Sequence, residues 1–424
     1  MLQFPGFRAL IGAGLTCIPA TAAVTLHQAY EAALTHSENY RSQQEAVIQA
    51  EEKESQALGN FLPSIQVTAG HTISQAPPAG FEQFAPQHQT SVAVGLVQPL
   101  FRGTTEYAAL RGVRHRRAAV EANRDQARLE LFKQVGQAYF MLLADEQSVR
   151  TIIDQLEIQT KRVTDIEQRK RRGESSQSEL LSAQGLLTST QADLDTKRAN
   201  VENSRGYFHL VTGLDRSSEL ADPQLLKATA VEPLESYLKS IEQRPDVVSA
   251  HQNYLAAQDS VAGEWGGHLP NIDLAANYYP IRPGFMNNLK WDVGARLSFN
   301  LFQGGKISSA VREAISRRTQ AELALAFSKR SAEQQIRELH QTLRSQVDRL
   351  EKLKHAVMLS EKNVRVVQQD YKRGLVRSID VQQALGVLRS SRQDYDQAHF
   401  ASQLDYLKLQ LAAARAPQTG ELSK

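Results

Sequence analysis

The residues of this chain that could do chemistry at a defined place are charged, and they gather at two glycines. RKRRGESSQSE at 169–179 and YKRGLVRSID at 371–380 each set basic residues before a glycine, and an acid six residues after it: Glu179 follows Gly173 and Asp380 follows Gly374. Carboxylates, guanidinium groups and a phenol at such spacing can make charge-assisted ties, or set the ion preference of a narrow passage. They do not make a catalytic centre. The 11 histidines are dispersed, with no His-Glu-x-x-His pattern and no Gly-rich phosphate loop, so neither an enzyme nor a cofactor is expected. A plainer reading stands beside the chemical one. An acid in the first turn of a helix offsets the macrodipole, Ser176 with Glu179 fits a capping box, and cations such as Arg172 and Arg373 are favourable where a helix ends.

The elements that must position these groups are long helices. At a constant offset of about 201 residues the second half of the chain repeats the first, with Leu100-Phe101 falling on Leu301-Phe302, Gly103 on Gly304 and Gly173 on Gly374. Val135, Leu142, Val149, Leu156 and Val163 recur every seven residues, and Ile336, Leu343, Leu350, Val357 and Val364 keep the same phase. Past each glycine the pattern resumes, at Leu180, Leu187, Leu194, Val201 and Phe208 in one half, and at Val381, Leu388, Tyr395 and Leu409 in the other. An uninterrupted helix from 103 to about 171 would be on the order of 100 Å long. A heptad stripe alone leaves open whether its neighbours lie in the same chain or another, so a structural or adhesive coiled-coil protein of the cell envelope is the alternative to any active role.

Each half also carries two segments of period two. In LKWDVGARLSFN, Leu289, Trp291, Val293, Ala295, Leu297 and Phe299 alternate with polar or small residues, among them Lys290, Asp292 and Arg296. SIQVTAGHTIS, QTSVAVGLVQP and NIDLAANYYP complete four strands of about ten residues, the length a tilted strand needs to cross a bilayer. A soluble sandwich would use the same alternation, but four strands leave nothing for a second sheet, and open edges cannot sit in lipid. Three copies would supply about twelve strands, a plausible closed barrel. Lys290, Asp292 and Arg296 would then line a wet lumen, with Trp291 near an interface belt.

Composition sets the outer limits. Lys+Arg 49 against Asp+Glu 46 gives a net charge of +3, too balanced to argue for nucleic acid. Arg8, an apolar run at 9–18 and small residues up to Ala23 read as a cleavable export signal at 1–23. Cys17, the one cysteine, lies inside it and fits a lipidation site poorly. No later run of about 18 apolar residues offers a transmembrane helix. The expected organisation is a first repeat at 24–213 and a second at 233–415, joined by a linker at 214–232 and followed by a tail at 416–424. The first holds a hairpin at about 64–99, a long helix at about 103–171 and a return helix at about 176–213. The second holds a hairpin at about 271–300, a long helix at about 304–373 and a return helix at about 378–415.

In that order and duplication, from the signal through QPLFRG or NLFQGG to the glycine break and return helix, the chain resembles the TolC-like outer-membrane exit ducts of efflux and type I secretion systems. The resemblance implies a mixed α-helical and β-barrel fold: a homotrimer whose twelve-stranded barrel lies in outer-membrane lipid, continuous with a long periplasmic helical barrel. It implies no catalysis, and as partners a periplasmic adaptor (membrane fusion) protein and an inner-membrane pump or ABC exporter. Carried over by position, a periplasmic gate falls on Asp380 as an acidic ring, on Tyr371 as a latch and on Glu179 as its acidic partner. The family's basic latch would fall on Val376, with Arg377 one residue late, and its second acidic ring on Gln383. The turns at Gly173 and Gly374, with Arg172 and Arg373, are implied adaptor contacts.

Overall fold

The computed structural model describes residues 23–78, 80, 86–223, 225 and 231–415. The export signal, Cys17 and the C-terminal tail therefore lie outside the described residues, apart from residue 23. The first repeat runs α1 (Leu26–His36), α2 (Glu38–Gly59), β1 (Ser64–Ile73), β2 (His88–Arg102), α3 (Thr105–Arg171) and α4 (Gln177–Thr212). The second runs α5 (Leu234–Leu238), α6 (Pro245–Gly266), β3 (Asn271–Ile281), β4 (Trp291–Ser298), α7 (Lys306–Lys372) and α8 (Ser378–Ala412). α3 and α7 have 67 residues each, so each spans about 100 Å.

α3 is the spine. In the half nearer the strands it packs against α2 and α6, and α6 packs on α7. In the other half it packs against α4 and α8, and α8 on α7. The short helices are thus paired end to end beside the two long ones. The main core sits where these halves meet. Tyr30 stacks on Phe132 with centroids 4.3 Å apart, and Val135, Tyr139, Phe140, Phe208 and Leu407 are buried around them. The Tyr139 hydroxyl donates to the carbonyls of Val24, at 2.8 Å, and Ala221, which ties the start of the described chain and the inter-repeat linker to the spine.

The strands form one antiparallel sheet in the order β1-β2-β3-β4. β2 runs three residues past Pro99, because a register shift between Pro99 and Phe101 accommodates a residue with no N–H to give the ladder. The long helices start later than the glycines that precede them. Gly103, Gly304 and Gly305 all take positive φ and form the strand-to-helix turns instead. At Gly103 any side chain would also run into the backbone of Gly266, where α3 crosses the end of α6.

Candidate functional site

At the end of the helices far from the sheet, both hairpins turn through a glycine in the left-handed region, Gly173 at φ 79° and Gly374 at φ 76°. The closing hydrogen bonds match. Glu174 N donates to Arg169 O at 2.9 Å and Leu375 N to Asp370 O at 2.9 Å, while Gly173 N reaches Lys170 O and Gly374 N reaches Tyr371 O at 3.0 Å. Both turns are Schellman motifs, which satisfy the last carbonyls of α3 and α7.

The caps of the following helices differ. Ser176 Oγ accepts from Glu179 N at 3.2 Å, but the Glu179 carboxylate does not return to the cap backbone as a capping box would require. It accepts instead from Ser175 Oγ at 2.6 Å and from the Tyr371 hydroxyl at 2.7 Å. In α8 the opposite half of the box is used: Asp380 Oδ2 accepts from Arg377 N at 2.8 Å. The Arg377 side chain has no acceptor atom to complete it, and its guanidinium is in no ion pair among the described residues. Gln383 is exposed, one turn along α8 from Asp380.

Sequence and structure thus bring Tyr371 and Glu179 together, across the two repeats, and leave Arg377 and Gln383 outside the contact. Two residues not singled out in the sequence join it. Arg169 on α3 lies over the Tyr371 ring, 4.7 Å from its centroid, and Arg162 Nη2 donates to Ser378 O at 2.8 Å and to Ser378 Oγ. Burial would raise the Glu179 carboxyl, but hydrogen bonds from Ser175, Ser378 and Tyr371, with Arg162 nearby, hold it below its ordinary value. Burial, the Glu179 hydrogen bond and the Glu179 charge raise the Tyr371 phenol, so it stays a donor. Arg172 and Arg373 are exposed at the turns.

At the opposite end the register sorts the sheet into two faces. Ile65 opposes Leu96, Val67 opposes Val94, Ala276 opposes Val293 and Ile272 opposes Leu297, making one apolar face across all four strands. The other face carries Gln66 opposite Gly95, Asn277 opposite Asp292, Ala275 opposite Gly294 and Asp273 opposite Arg296. Lys290 lies just before β4, its carbonyl accepting from Tyr279 N at 2.8 Å. Asp292 accepts from Asn277 Nδ2 of β3 at 2.8 Å, and Arg102 joins the polar face through Asp273 at 3.3 Å. No helix packs across the sheet among the described residues, and the apolar face is bare, with Val67 and Leu297 each 66% exposed.

A family model described as outer membrane efflux protein matches residues 29–206 and 237–415, one block for each repeat. The chain belongs to the outer membrane efflux protein family. It is an efflux duct of the outer membrane with its helical body reaching into the periplasm, and its family is one of channels rather than enzymes. The purely structural coiled-coil reading of the heptads is not favoured. Outer membrane protein TolC of Escherichia coli is 23% identical over 415 residues, covering 92% of this chain and 82% of that protein. Among solved structures, CusC superposes with a TM-score of 0.83 at 16% identity, with 92% of each chain covered. VceC of Vibrio cholerae superposes at 0.80 with 19% identity, covering 92% of this chain and 96% of that one.

For an efflux duct the seams between helices decide what can move, and they are not alike. Within the first hairpin Val163 and Ile166 of α3 pack on Leu180 and Ala183 of α4, and within the second Val364 of α7 packs on Ala384 and Leu388 of α8. Between the repeats the α3–α8 seam is mixed instead: α3 brings the polar Thr151, Gln155, Gln159 and Arg162 beside Ile158, toward Leu385, Leu388, Arg389 and Arg392 of α8. Thr151 Oγ1 donates to Asp396 at 3.2 Å, whereas Oε1 of Gln155 and Gln159 and Nη1 of Arg162 are buried without a protein partner.

Proposed function

We propose that three copies of the chain close into a passive export tube, with a twelve-stranded barrel in the outer membrane and a helical barrel gated at its periplasmic tip. The observation that carries this reading is the single-layer sheet. Its apolar face is uncovered and its outer strands β1 and β4 each present an unpaired edge. Such a sheet has no stable end-point as a monomer. In lipid every backbone donor and acceptor must be paired within protein, which only closure with further copies achieves. The apolar face then meets lipid, and Lys290, Asp292, Arg296 and Asp273 line water.

At the tip, Tyr371 bonded to Glu179 ties the second hairpin to the first and holds the passage narrow, and Asp380 with Gln383 one turn further faces whatever passes. Arg377 acts on a neighbouring copy in this reading, since its guanidinium meets no carboxylate among the described residues of its own chain. Gly173 and Gly374, with the exposed Arg172 and Arg373, are the surface offered to a periplasmic adaptor, and an inner-membrane pump or ABC exporter supplies energy and chooses the cargo, small molecule or polypeptide. The test is fractionation: the mature chain should be recovered from outer membranes as a trimer that dissociates only on heating. Recovery as a soluble monomer would overturn the reading.

A further inference from the structure

We propose that Arg162 is a positioning residue of the tip gate: it pins the start of α8 to α3, across the two repeats, and thereby keeps Tyr371 within reach of Glu179. The proposal rests on the gate reading above and adds a residue that touches neither the passing solute nor the Tyr371–Glu179 hydrogen bond itself.

The case begins with where Arg162 lies. It is the last of the polar residues that α3 brings toward α8, half-buried, with Nη2 forked between the backbone carbonyl and the hydroxyl of Ser378. Ser378 is the first residue of α8 and lies seven positions beyond Tyr371 around the Gly374 turn. A guanidinium anchored in α3 and bonded to that residue fixes the position of the whole turn, because the Schellman closure makes the turn rigid. The Ser378 side chain also helps hold the Glu179 carboxyl below its ordinary value, so one serine lies between the arginine and the acid. Removing Arg162 would free the α8 start and take a cation away from Glu179.

Packing around this contact is only partly apolar, with Ile158 of α3 and Leu385 and Leu388 of α8 set among polar side chains. Each hairpin is closed internally by apolar residues, whereas the α3–α8 seam at this level buries three side-chain polar atoms without a protein partner, one of them Arg162 Nη1. Unmet polar groups offset part of what such a seam gains from dehydration, so it separates more easily than a wholly apolar one. The directed bonds of Arg162 therefore matter more here than an arginine would on an ordinary helix face. The charged and titratable groups about Glu179 are Arg162 and Arg169 on α3 and Tyr371 on α7. Asp165 is paired to Arg169 at 3.3 Å, and Asp380 on α8 is engaged by the Arg377 backbone.

The experiment is single-channel recording of the purified full-length trimer in planar bilayers, with Arg162→Gln, Arg162→Lys, Tyr371→Phe and the double Arg162→Gln/Tyr371→Phe, each first verified as a heat-modifiable trimer. Arg162→Gln should raise resting conductance several-fold, and the double variant should open no further than the wider of its two single parents. The pH at which the channel opens on acidification should rise in Arg162→Gln, because losing a nearby cation makes the carboxylate easier to protonate. Arg162→Lys should keep the wild-type pH midpoint while conducting more than wild type, since a point charge cannot reproduce the two-acceptor contact. If Tyr371→Phe opens the channel and Arg162→Gln leaves both conductance and pH midpoint unchanged, or if the two effects add in full, Arg162 does not position the latch. If Tyr371→Phe itself changes nothing, the gate reading has failed first.

Discussion

The two hairpin turns at the tip share a backbone and differ in how they cap the helix that follows. Both are Schellman turns on a positive-φ glycine, and both carry an acid six residues later. In the first, Ser176 caps α4, which leaves the Glu179 carboxylate free to reach across to Tyr371. In the second, the residue at the cap is Arg377, which has nothing to accept with, so Asp380 turns back and bonds the cap backbone itself. The partner within reach thus separates the two acids: Tyr371 of the other hairpin draws Glu179 across, whereas Asp380 closes its own helix. Equal spacing from a glycine does not mean equal work.

That contrast can be broken in order of effect. The largest change is expected for Glu179→Gln combined with Tyr371→Phe, which removes the inter-repeat tie: conductance in planar bilayers should rise several-fold, with the trimer intact on a heated gel. Acidification should imitate it. The Glu179 carboxyl lies below its ordinary value in the closed tip, so the contact stabilises that state at pH above the unperturbed carboxylate range and is lost as pH falls through the lowered value. Conductance should therefore be flat near neutrality and climb only in acid, and a pH-independent record from neutral into strong acid would count against the assignment. Next, Gly173→Ala and Gly374→Ala meet no neighbouring atom, so each should cost only the backbone strain, about 1 kcal/mol, read as earlier thermal dissociation. Asp380→Asn should weaken cation preference, with a stability loss on the order of 0.5 kcal/mol from the helix start. Ion selectivity identical to wild type would show that the carboxylate serves its own helix alone. The smallest change is expected for Arg377→Ser, whose guanidinium has no carboxylate partner among the described residues of its chain. If this variant opens the channel as far as the Glu179/Tyr371 pair, an intersubunit latch outweighs the intrachain one.

Much of the architecture could be read from periodicity. The offset of about 201 residues and the heptads carry over because apolar residues must recur wherever two helices stay in contact along their length. The alternation in LKWDVGARLSFN carried the two faces of the sheet for the same reason. Strand and helix ends were less legible, since Pro99 lies inside a bulged strand rather than ending it, and Gly103 and Gly304 are spent on turns. At the tip, Tyr371 and Glu179 were named from a resemblance and meet as expected, but Arg162 was invisible. It lies 216 positions from Ser378, and a Thr151, Gln155, Gln159, Arg162 stripe has the look of a solvated helix face. Only the packing of α8 against it turns those polar residues inward. The capping box at Glu179 failed for a related reason: Ser176 and Glu179 have the right spacing, but a partner from the other repeat competes for the carboxylate.

The central claim is that this chain forms a duct held narrow at the Glu179–Tyr371 contact, and single-channel recording of the wild-type and Glu179→Gln/Tyr371→Phe trimers at neutral pH tests it most directly. The account predicts channels from both, of small conductance in the wild type and several-fold larger in the double variant. Absence of channels from both proteins, or the same conductance from each, would contradict it.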